Sequence, residues 1–360
     1  MSGTSLDGVD GVLARCDTPF HVLAHASAPM DASLRAELEA LNSPGPNELH
    51  RAALAANALV EIYARVVTEL LQQTGMTARE VRAIGAHGQT VRHQPGLHDG
   101  TGYTWQLNQP ALLAERCGID VVADFRSRDV AAGGQGAPLV PAFHQRVFGR
   151  PGHHMAVLNV GGIANLSLLG PQGEVRGFDC GPGNVLLDHW CLTHTSQPFD
   201  HEGRWAASGQ VRDALLAHLL AEPFLQQPPP KSTGRDLFNP TWLSERLRAH
   251  PGLSPEDVQA TLTAFTAQSS LQALQTHWPA CEQLIVCGGG ALNLHLMQQL
   301  RIGLPGCEVV ASAAAGLPPL QVEAAAFAWL AQQTLNRQTG NSPAVTGARG
   351  GRVLGAIYPA

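Results

Sequence analysis

One carboxylate stands where an apolar segment gives way to a glycine turn, a position suited to acid–base chemistry. Asp179 follows the strand-like residues 174–178 and precedes Cys-Gly-Pro-Gly-Asn at 180–184. Ligands of open α/β sheets bind at the carboxyl ends of strands, and a carboxylate there can deprotonate a hydroxyl or a water. An aspartate that caps the following helix has the same local sequence. This pattern alone does not decide between a catalytic and a capping role for Asp179.

The opening segment has the composition of a phosphate-binding turn. Residues 2–10 read Ser-Gly-Thr-Ser-Leu-Asp-Gly-Val-Asp. Backbone N–H groups of small residues in a tight turn can surround phosphate oxygens, and the carboxylates of Asp7 and Asp10 are suited to magnesium or its waters. An ordinary surface turn has similar residues. The spacing Gly-x-x-x-x-Gly-Lys-Ser/Thr is absent, so the segment is not a P-loop.

Two further glycine turns follow apolar strands. Residues 159–165 (Asn-Val-Gly-Gly-Ile-Ala-Asn) predict a hairpin, which could clamp a nucleotide phosphate tail together with the opening turn or could bind nothing. Residues 286–293 (Val-Cys-Gly-Gly-Gly-Ala-Leu-Asn) predict strand, turn and helix, with room for a base or ribose against the backbone. The latter turn is not Gly-x-Gly-x-x-Gly, so a dinucleotide fingerprint is not supported.

Several basic side chains are candidates for binding a substrate acid or phosphates. The guanidinium fork suits a carboxylate because it pairs with both oxygens. A surface salt bridge is the competing interpretation for each of them. The candidates are His87, Arg92, Arg126, Arg128 and Arg235.

Helices alternate with short apolar strands along the chain, which predicts an α/β fold. The periodicity predicts helices over 47–74, 254–278 and 321–335, with Ser254 as an N-cap and Gly75 ending the first. Strands are predicted over 81–86, 118–124, 155–160, 164–169, 174–178 and 284–287, and the tail 352–358 is expected to pair back onto the first domain. A second domain is predicted to begin near Phe125.

The composition excludes several classes of function. With 360 residues, a formal net charge of -6 and no Lys/Arg run, the chain has no basic surface for nucleic acid or an anionic membrane. Seven cysteines without a Cys-x-x-Cys pair predict reduced thiols, with neither a disulfide framework nor a zinc site. No signal peptide and no apolar run of ~20 residues are evident, so a cytoplasmic protein is expected.

Eight motifs in order give the chain a specific resemblance. They read SGTSLDGVD, GAHGQTVRH, ADFRSRDVAAGGQGAPLVP, NVGGIANL, FDCGPGN, PPKSTGRD, CGGGALN and EAAAFAWLA, and VLGAIYP also fits near the end. Together they resemble the anhydro-N-acetylmuramic acid kinase family. The resemblance implies the two-domain, actin-like (ribonuclease-H-like) ATPase fold of sugar kinases and heat-shock ATPases, with a central cleft for nucleotide and sugar. The domains implied are 1–125 plus 341–360, and 126–340.

The resemblance also implies a reaction and a set of site residues. ATP and Mg²⁺ would serve a kinase (a phosphotransferase with an alcohol acceptor) that opens the 1,6-anhydro sugar with water and phosphorylates the 6-oxygen, in peptidoglycan recycling. Asp179 would be the base, with Glu323 near it; Asp7 and Glu323 would serve the metal, and a homodimer is suggested. His87, Gln89 and Arg126 would bind the sugar. The nucleotide would contact Gly3, Thr4, Ser5, Leu6, Asp7, Gly8, Val9, Asp10, Gly161, Gly162, Asn165, Gly288, Gly289, Gly290 and Asn293.

One feature departs from the family pattern, and other functions compete. Family members usually carry a few residues of strand before the Ser-Gly-Thr-Ser turn, whereas here Met1 leads directly into Ser2. Either the start site is set too far downstream, or this turn lacks its usual anchor. The alternatives are a kinase of another sugar on the same fold, an ATP-gated interaction protein, and an inactive paralogue.

Overall fold

A computed structural model describes residues 1–3, 6 and 8–360, in which the chain divides into two units. Unit 1 comprises Met1–Val147 and Gln321–Ala360, and unit 2 comprises Phe148–Leu320. The predicted boundaries at 125 and 340 differ from these because two helical segments belong to unit 1. Residues 126–147 remain with the strand that precedes them, and the long helix after Gln321 packs on strands of unit 1.

The strands and helices run as follows. The first part of the chain forms β1 (Gly8–Arg15), β2 (His21–Pro29), α1 (Ala32–Ala40), α2 (Glu48–Thr74), β3 (Ile84–Gly85), β4 (Gln89–Pro95), β5 (Gly102–Leu107), α3 (Pro110–Cys117), β6 (Val121–Ala123), α4 (Ser127–Ala131) and α5 (Val140–Phe148). Next come β7 (Met155–Val160), β8 (Ile163–Leu169), β9 (Val175–Pro182), α6 (Val185–Thr195), α7 (Asp213–Leu220), α8 (Pro240–Leu247), α9 (Pro255–His277), β10 (Gln283–Cys287), α10 (Leu294–Gly303) and β11 (Glu308–Ala311). The return to unit 1 forms α11 (Val322–Leu335), α12 (Pro343–Thr346) and β12 (Ala356–Tyr358).

Unit 2 is built on one five-stranded sheet in the order β11-β10-β7-β8-β9. β10 is parallel to both β7 and β11, while β8 is antiparallel to β7 and β9. This strand order, in which β8 (the second strand of the sheet in chain order) runs opposite to its neighbours, is that of the predicted ribonuclease-H-like fold. The carboxyl ends of β7 and β10 therefore meet at one edge of the sheet, where the glycine turns follow them.

The sheets of unit 1 are shorter. β1 pairs with β2, and the β12-β6-β3 sheet joins β6 to β3 in parallel and to β12 antiparallel, which confirms that the tail returns to the first domain. Ser2 forms a bridge to Val9, and the Met1 ammonium donates to the Asp10 carbonyl at 2.7 Å. Beside Met1, a cavity of about 700 Å³ is lined by residues of β1, α2, β3 and α11. It lies between β1 and β3.

Most predicted elements are confirmed, and the differences have local causes. α2 ends at Gly75 with φ +67°, and α9 begins after Ser254, whose side chain accepts from the Asp257 N–H. The predicted strand 174–178 is too short, because β9 continues through Asp179 in register with β8. β2 and the β4–β5 hairpin were missed. No helix in the described part of the chain has the length and apolar character required to cross a membrane.

Candidate active site

Asp179 lies within β9, directly opposite Asn165 of β8. Its Oδ2 accepts a hydrogen bond from the Thr233 N–H at 2.9 Å, and its own N–H donates to the Lys231 carbonyl at 3.2 Å. The helix that follows is capped at Asn184, so the alternative of Asp179 as a helix cap is wrong. The carboxylate is instead held by a second chain segment, with one oxygen anchored by a backbone N–H.

Burial changes the acidity of Asp179. Desolvation raises the pKa of its carboxyl to about 6, while the Thr233 N–H and the Lys231 ammonium act in the opposite direction. The residue nevertheless keeps partial access to solvent. A carboxyl with this pKa is ionised at pH 7 and still basic enough to accept a proton, which is what a general base requires.

Lys231 fixes the segment that holds Asp179. Its Nζ donates to the carbonyls of Phe224 at 3.2 Å and Leu225 at 2.8 Å and lies 4.9 Å from the Phe224 ring centroid. Burial lowers the pKa of Lys231. The sequence around Lys231 and Thr233 predicts no role for either residue, although their motif is part of the family resemblance.

Three glycine-containing turns meet at the edge of the sheet in unit 2. The carbonyls of Gly161 and Gly162 accept from the N–H groups of Asn184 at 2.8 Å and Gly183 at 2.9 Å. The Asn184 side chain donates to the Val160 carbonyl, and its Nδ2 would lie 3.3 Å from a Cβ placed on Gly289. The structure thus brings these three predicted turns together.

The glycines of these turns serve different purposes. Gly288 has φ +76°, and a Cβ on Gly290 would lie 2.3 Å from the Val160 side chain, so the fold itself requires both. A Cβ on Gly161 or Gly162 would meet nothing closer than 3.8 Å. Neither packing nor a positive φ explains those two glycines, whereas close approach of a ligand to the backbone would.

The two predicted asparagines differ in their surroundings. Asn165 faces Asp179 across the β8–β9 ladder. Asn293 is buried, and its Oδ1 caps α10 by accepting from the Leu296 N–H at 2.9 Å. Cap formation explains why an asparagine stands at position 293 without any ligand, and its contact with a nucleotide stays a prediction.

In unit 1, His87 and Arg126 form a buried pair. The guanidinium donates to His87 Nε2 from Nε at 3.1 Å and lies 3.0 Å away through Nη2. Because arginine offers only donors, Nε2 accepts and the imidazole proton sits on Nδ1, which donates to the Gly88 carbonyl at 2.7 Å. Burial and the Arg126 charge hold the pKa of His87 well below its ordinary value. His87 is therefore neutral and orients Arg126.

A second support for Arg126 comes from the glycine-rich loop after α4. Arg126 Nη1 donates to the Gly136 carbonyl at 2.8 Å, and the Gly136 N–H donates to Asp129 Oδ2 at 2.8 Å. The fully buried Asp129 also accepts from Asn341 Nδ2 at 2.6 Å and Thr346 Oγ1 at 2.8 Å. The sequence does not predict this network, because Asp129 and its partners Asn341 and Thr346 are more than 200 positions apart.

The opening turn is anchored through Gln89. The Ser2 hydroxyl donates to Gln89 Oε1, and Gln89 is almost fully buried. The Gly3 carbonyl accepts from the Leu6 N–H at 3.3 Å. Gly8 to Asp10 lie in β1, where Asp10 pairs with His25 at 3.4 Å. The predicted ligands Thr4, Ser5 and Asp7 lie outside the described residues.

Glu323 lies half-buried in the first turn of α11. Its negative charge raises the pKa of Arg126, whose burial lowers that pKa to about 10. Burial also lowers the pKa of the Met1 ammonium to about 6, with Asp10 and Glu323 opposing the shift. The described residues contain no group of three or more His, Cys, Asp or Glu side chains arranged for a metal. With Asp7 not described, the Asp7–Glu323 metal site stays a prediction.

Comparisons with known proteins place this chain in a family. A curated relative from Variovorax paradoxus (strain S110), named anhydro-N-acetylmuramic acid kinase, is 64% identical and covers 100% of this chain and 98% of its own length. A relative of the same name from Albidiferax ferrireducens is 59% identical, with coverage of 100% and 98%. The activator of the 2-hydroxyisocaproyl-CoA dehydratase from Clostridium difficile matches with a TM-score of 0.46 at 11% identity, and the match covers 92% of this chain and 93% of the activator. This likeness is too weak to carry an argument.

The family model described as anhydro-N-acetylmuramic acid kinase matches residues 1–360. The match spans the two units described above, including the segments that hold Asp179 and Arg126. The chain belongs to the anhydro-N-acetylmuramic acid kinase family.

Proposed function

We propose that this protein uses ATP and water to open the 1,6-anhydro bond of anhydro-N-acetylmuramic acid and to phosphorylate the 6-oxygen, giving N-acetylmuramic acid 6-phosphate and ADP. The kinase activity and its sugar follow from family membership and from the names of the relatives. The observation that carries the mechanism is Asp179, whose buried carboxyl has a pKa of about 6 beside the glycine turns.

The reaction needs one base and one phosphoryl transfer. Asp179 accepts a proton from water, and the water oxygen bonds to the anomeric carbon as the bond from that carbon to the 6-oxygen breaks. The freed 6-oxygen attacks the γ-phosphorus in line, and the bond to the β-phosphate bridging oxygen breaks to release ADP. The Thr233 N–H holds Oδ2 of Asp179, which leaves Oδ1 to face the water.

The nucleotide phosphates bind at the glycine turns of both units. Gly161 and Gly162 leave space for phosphate oxygens, because no side chain or packed neighbour fills it. Residues 3–10 supply further N–H groups, and the Ser2–Gln89 hydrogen bond holds the start of that turn. The turn at Gly288–Gly290 and Asn293 lies near the adenosine.

The sugar's lactyl carboxylate binds to Arg126. Three of the donor groups of Arg126 are committed to His87 and Gly136, which fixes the plane of the guanidinium and leaves other N–H groups for a carboxylate. His87 is neutral, so it supports Arg126 by geometry and adds no charge of its own. Gln89 contributes to the sugar site indirectly, because its side chain accepts a hydrogen bond from Ser2 and so holds the opening segment.

Asp7 and Glu323 hold magnesium, directly or through waters, since carboxylate oxygens suit this hard cation. When bound, magnesium neutralises charge that develops on the transferred phosphoryl group. Glu323 also assists the base. The protein works in the cytoplasm as a homodimer and recycles wall-derived muramic sugar.

Asp179→Asn provides the test of the base. The substitution keeps shape and removes basicity, so ADP formation with anhydro-N-acetylmuramic acid should fall by roughly 10³-fold or more. Binding of a nonhydrolysable ATP analogue should be unchanged. Equal activity of the variant and the parent would contradict the mechanism. ADP formation with free glucose-like sugars would favour another sugar kinase, and ATP binding without transfer by the parent would favour an ATP-gated interaction protein.

A further inference from the structure

Two cysteines meet at the end of the unit 2 sheet opposite the glycine turns. Cys281 precedes β10 and Cys307 precedes β11, and these strands are parallel neighbours with Gln283 opposite Glu308. Their sulfur atoms lie 3.7 Å apart, although the residues are 26 positions apart in sequence. Both side chains are partly accessible to solvent. No step of the proposed mechanism uses either thiol.

The geometry allows the sulfurs to bond with little movement. A disulfide requires a separation of about 2 Å, so each sulfur needs to move by less than about 1 Å through side-chain rotation. The backbone on either side is already fixed, because the Glu308 N–H donates to the Glu282 carbonyl at 2.9 Å. The contact with the Cys281 thiol also lowers the pKa of Cys307, which favours a thiolate there.

We propose that Cys281 and Cys307 form an oxidisable dithiol, which peroxide converts into a reversible disulfide. The Cys307 thiolate attacks one peroxide oxygen; the S–O bond forms, the O–O bond breaks, and the leaving hydroxide takes a proton to become water. The Cys281 sulfur then loses its proton and attacks the Cys307 sulfur, expelling the second water. The dithiol loses two electrons and hydrogen peroxide gains them.

The disulfide joins the amino ends of β10 and β11, and the loop that it closes contains α10. The loop it closes constrains the unfolded chain, so the oxidised protein should melt roughly 5 °C higher than the reduced protein. The glycine turn at Gly288 follows the other end of β10. Phosphate binding and kinase activity should therefore persist after oxidation.

Mass spectrometry of the intact full-length protein after treatment with hydrogen peroxide tests the proposal. The expected result is a loss of about 2 Da that dithiothreitol reverses, with peptide mapping that joins Cys281 to Cys307. Cys281→Ser and Cys307→Ser should each abolish the loss. Cys117→Ser, which removes another partly buried thiol, should retain it.

Other outcomes would overturn the proposal. A gain of about 16 or 32 Da on one of the two cysteines would mean that they oxidise singly. An unchanged mass under conditions that oxidise a small-molecule dithiol, or a disulfide that joins other cysteines, would also contradict it. If one variant fails to fold, the other variant and the peptide map of the parent still decide the result.

Discussion

Replacing Lys231 with methionine should move the acid limb of the pH–rate profile to higher pH. The Lys231 ammonium lowers the pKa of Asp179, which burial raises to about 6. Removing that charge takes away an interaction that favours the carboxylate, so the pKa of Asp179 should rise further, by roughly one unit, equivalent to about 1.4 kcal/mol. A base must be deprotonated to act. As the pH is lowered, the variant should therefore lose activity at a higher pH than the parent does.

The size of the effect depends on pH. With limbs near 6 and 7, the variant should retain most of its kcat/KM at pH 8 and should show roughly a third of the parental kcat/KM at pH 6.5. The assay is ADP release from pH 5 to 9 with the anhydro sugar well below its KM, so that the rate reports kcat/KM. Lys231→Arg keeps the charge and serves as the matched control, with its limb near that of the parent.

Stability needs a separate measurement, because Lys231 also bonds to the Phe224 and Leu225 carbonyls. Leaving those carbonyls unpaired should cost about 1–3 kcal/mol of unfolding free energy. A thermal melt at each pH separates unfolding from titration. An unshifted acid limb in a folded Lys231→Met protein would refute the argument that Lys231 sets the pKa of Asp179.

Three other perturbations test other parts of the account. Arg126→Lys keeps a charge but loses the fork, so KM for the anhydro sugar should rise about 10-fold or more in steady-state kinetics while ATP affinity holds; an unchanged KM would contradict the assignment. Asp129→Ala should lower the free energy of unfolding by about 3 kcal/mol in urea titrations, because three donors lose their buried acceptor; Asp120→Ala, at the surface, is the control, and equal losses would contradict the network. Adding about five β-branched apolar residues before Met1 should raise the melting temperature by roughly 5 °C or more, because they would fill the cavity between β1 and β3, whereas an equal polar extension should not.

The sequence predicted what is local. The spacing of Leu59, Ile62, Val66 and Leu70 determined α2, and Gly75 determined its end. Ser254 marked the start of α9 through its cap. These features depend on neighbouring residues only, so periodicity and capping rules suffice to find them.

The sequence could not predict what depends on distant partners. Nothing near Asp179 in the sequence indicates that Thr233 and Lys231 hold it, because that segment lies more than 50 residues away. The same holds for Asp129, whose partners Asn341 and Thr346 come from the C-terminal segment. β9 was predicted too short because its glycines and proline suggested a turn, whereas pairing with β8 keeps Gly181 and Pro182 in the ladder.

The resemblance of the motifs predicted the family, which the comparisons confirmed over the whole chain. It did not predict the supports of the site residues. His87 was expected to grip the sugar, and the structure shows that its Nε2 accepts from Arg126. A neutral imidazole in that position is an orienting group, which only the three-dimensional contacts reveal.

The central claim is that one active site couples water attack on the anomeric carbon to phosphorylation of the 6-oxygen. Mass spectrometry of the product formed from anhydro-N-acetylmuramic acid, ATP and magnesium in oxygen-18 water tests it directly. Unlabelled product held in the same water corrects for exchange. The account predicts a muramic acid phosphate with one heavy oxygen on the sugar, and a phosphorylated product without heavy oxygen would contradict it.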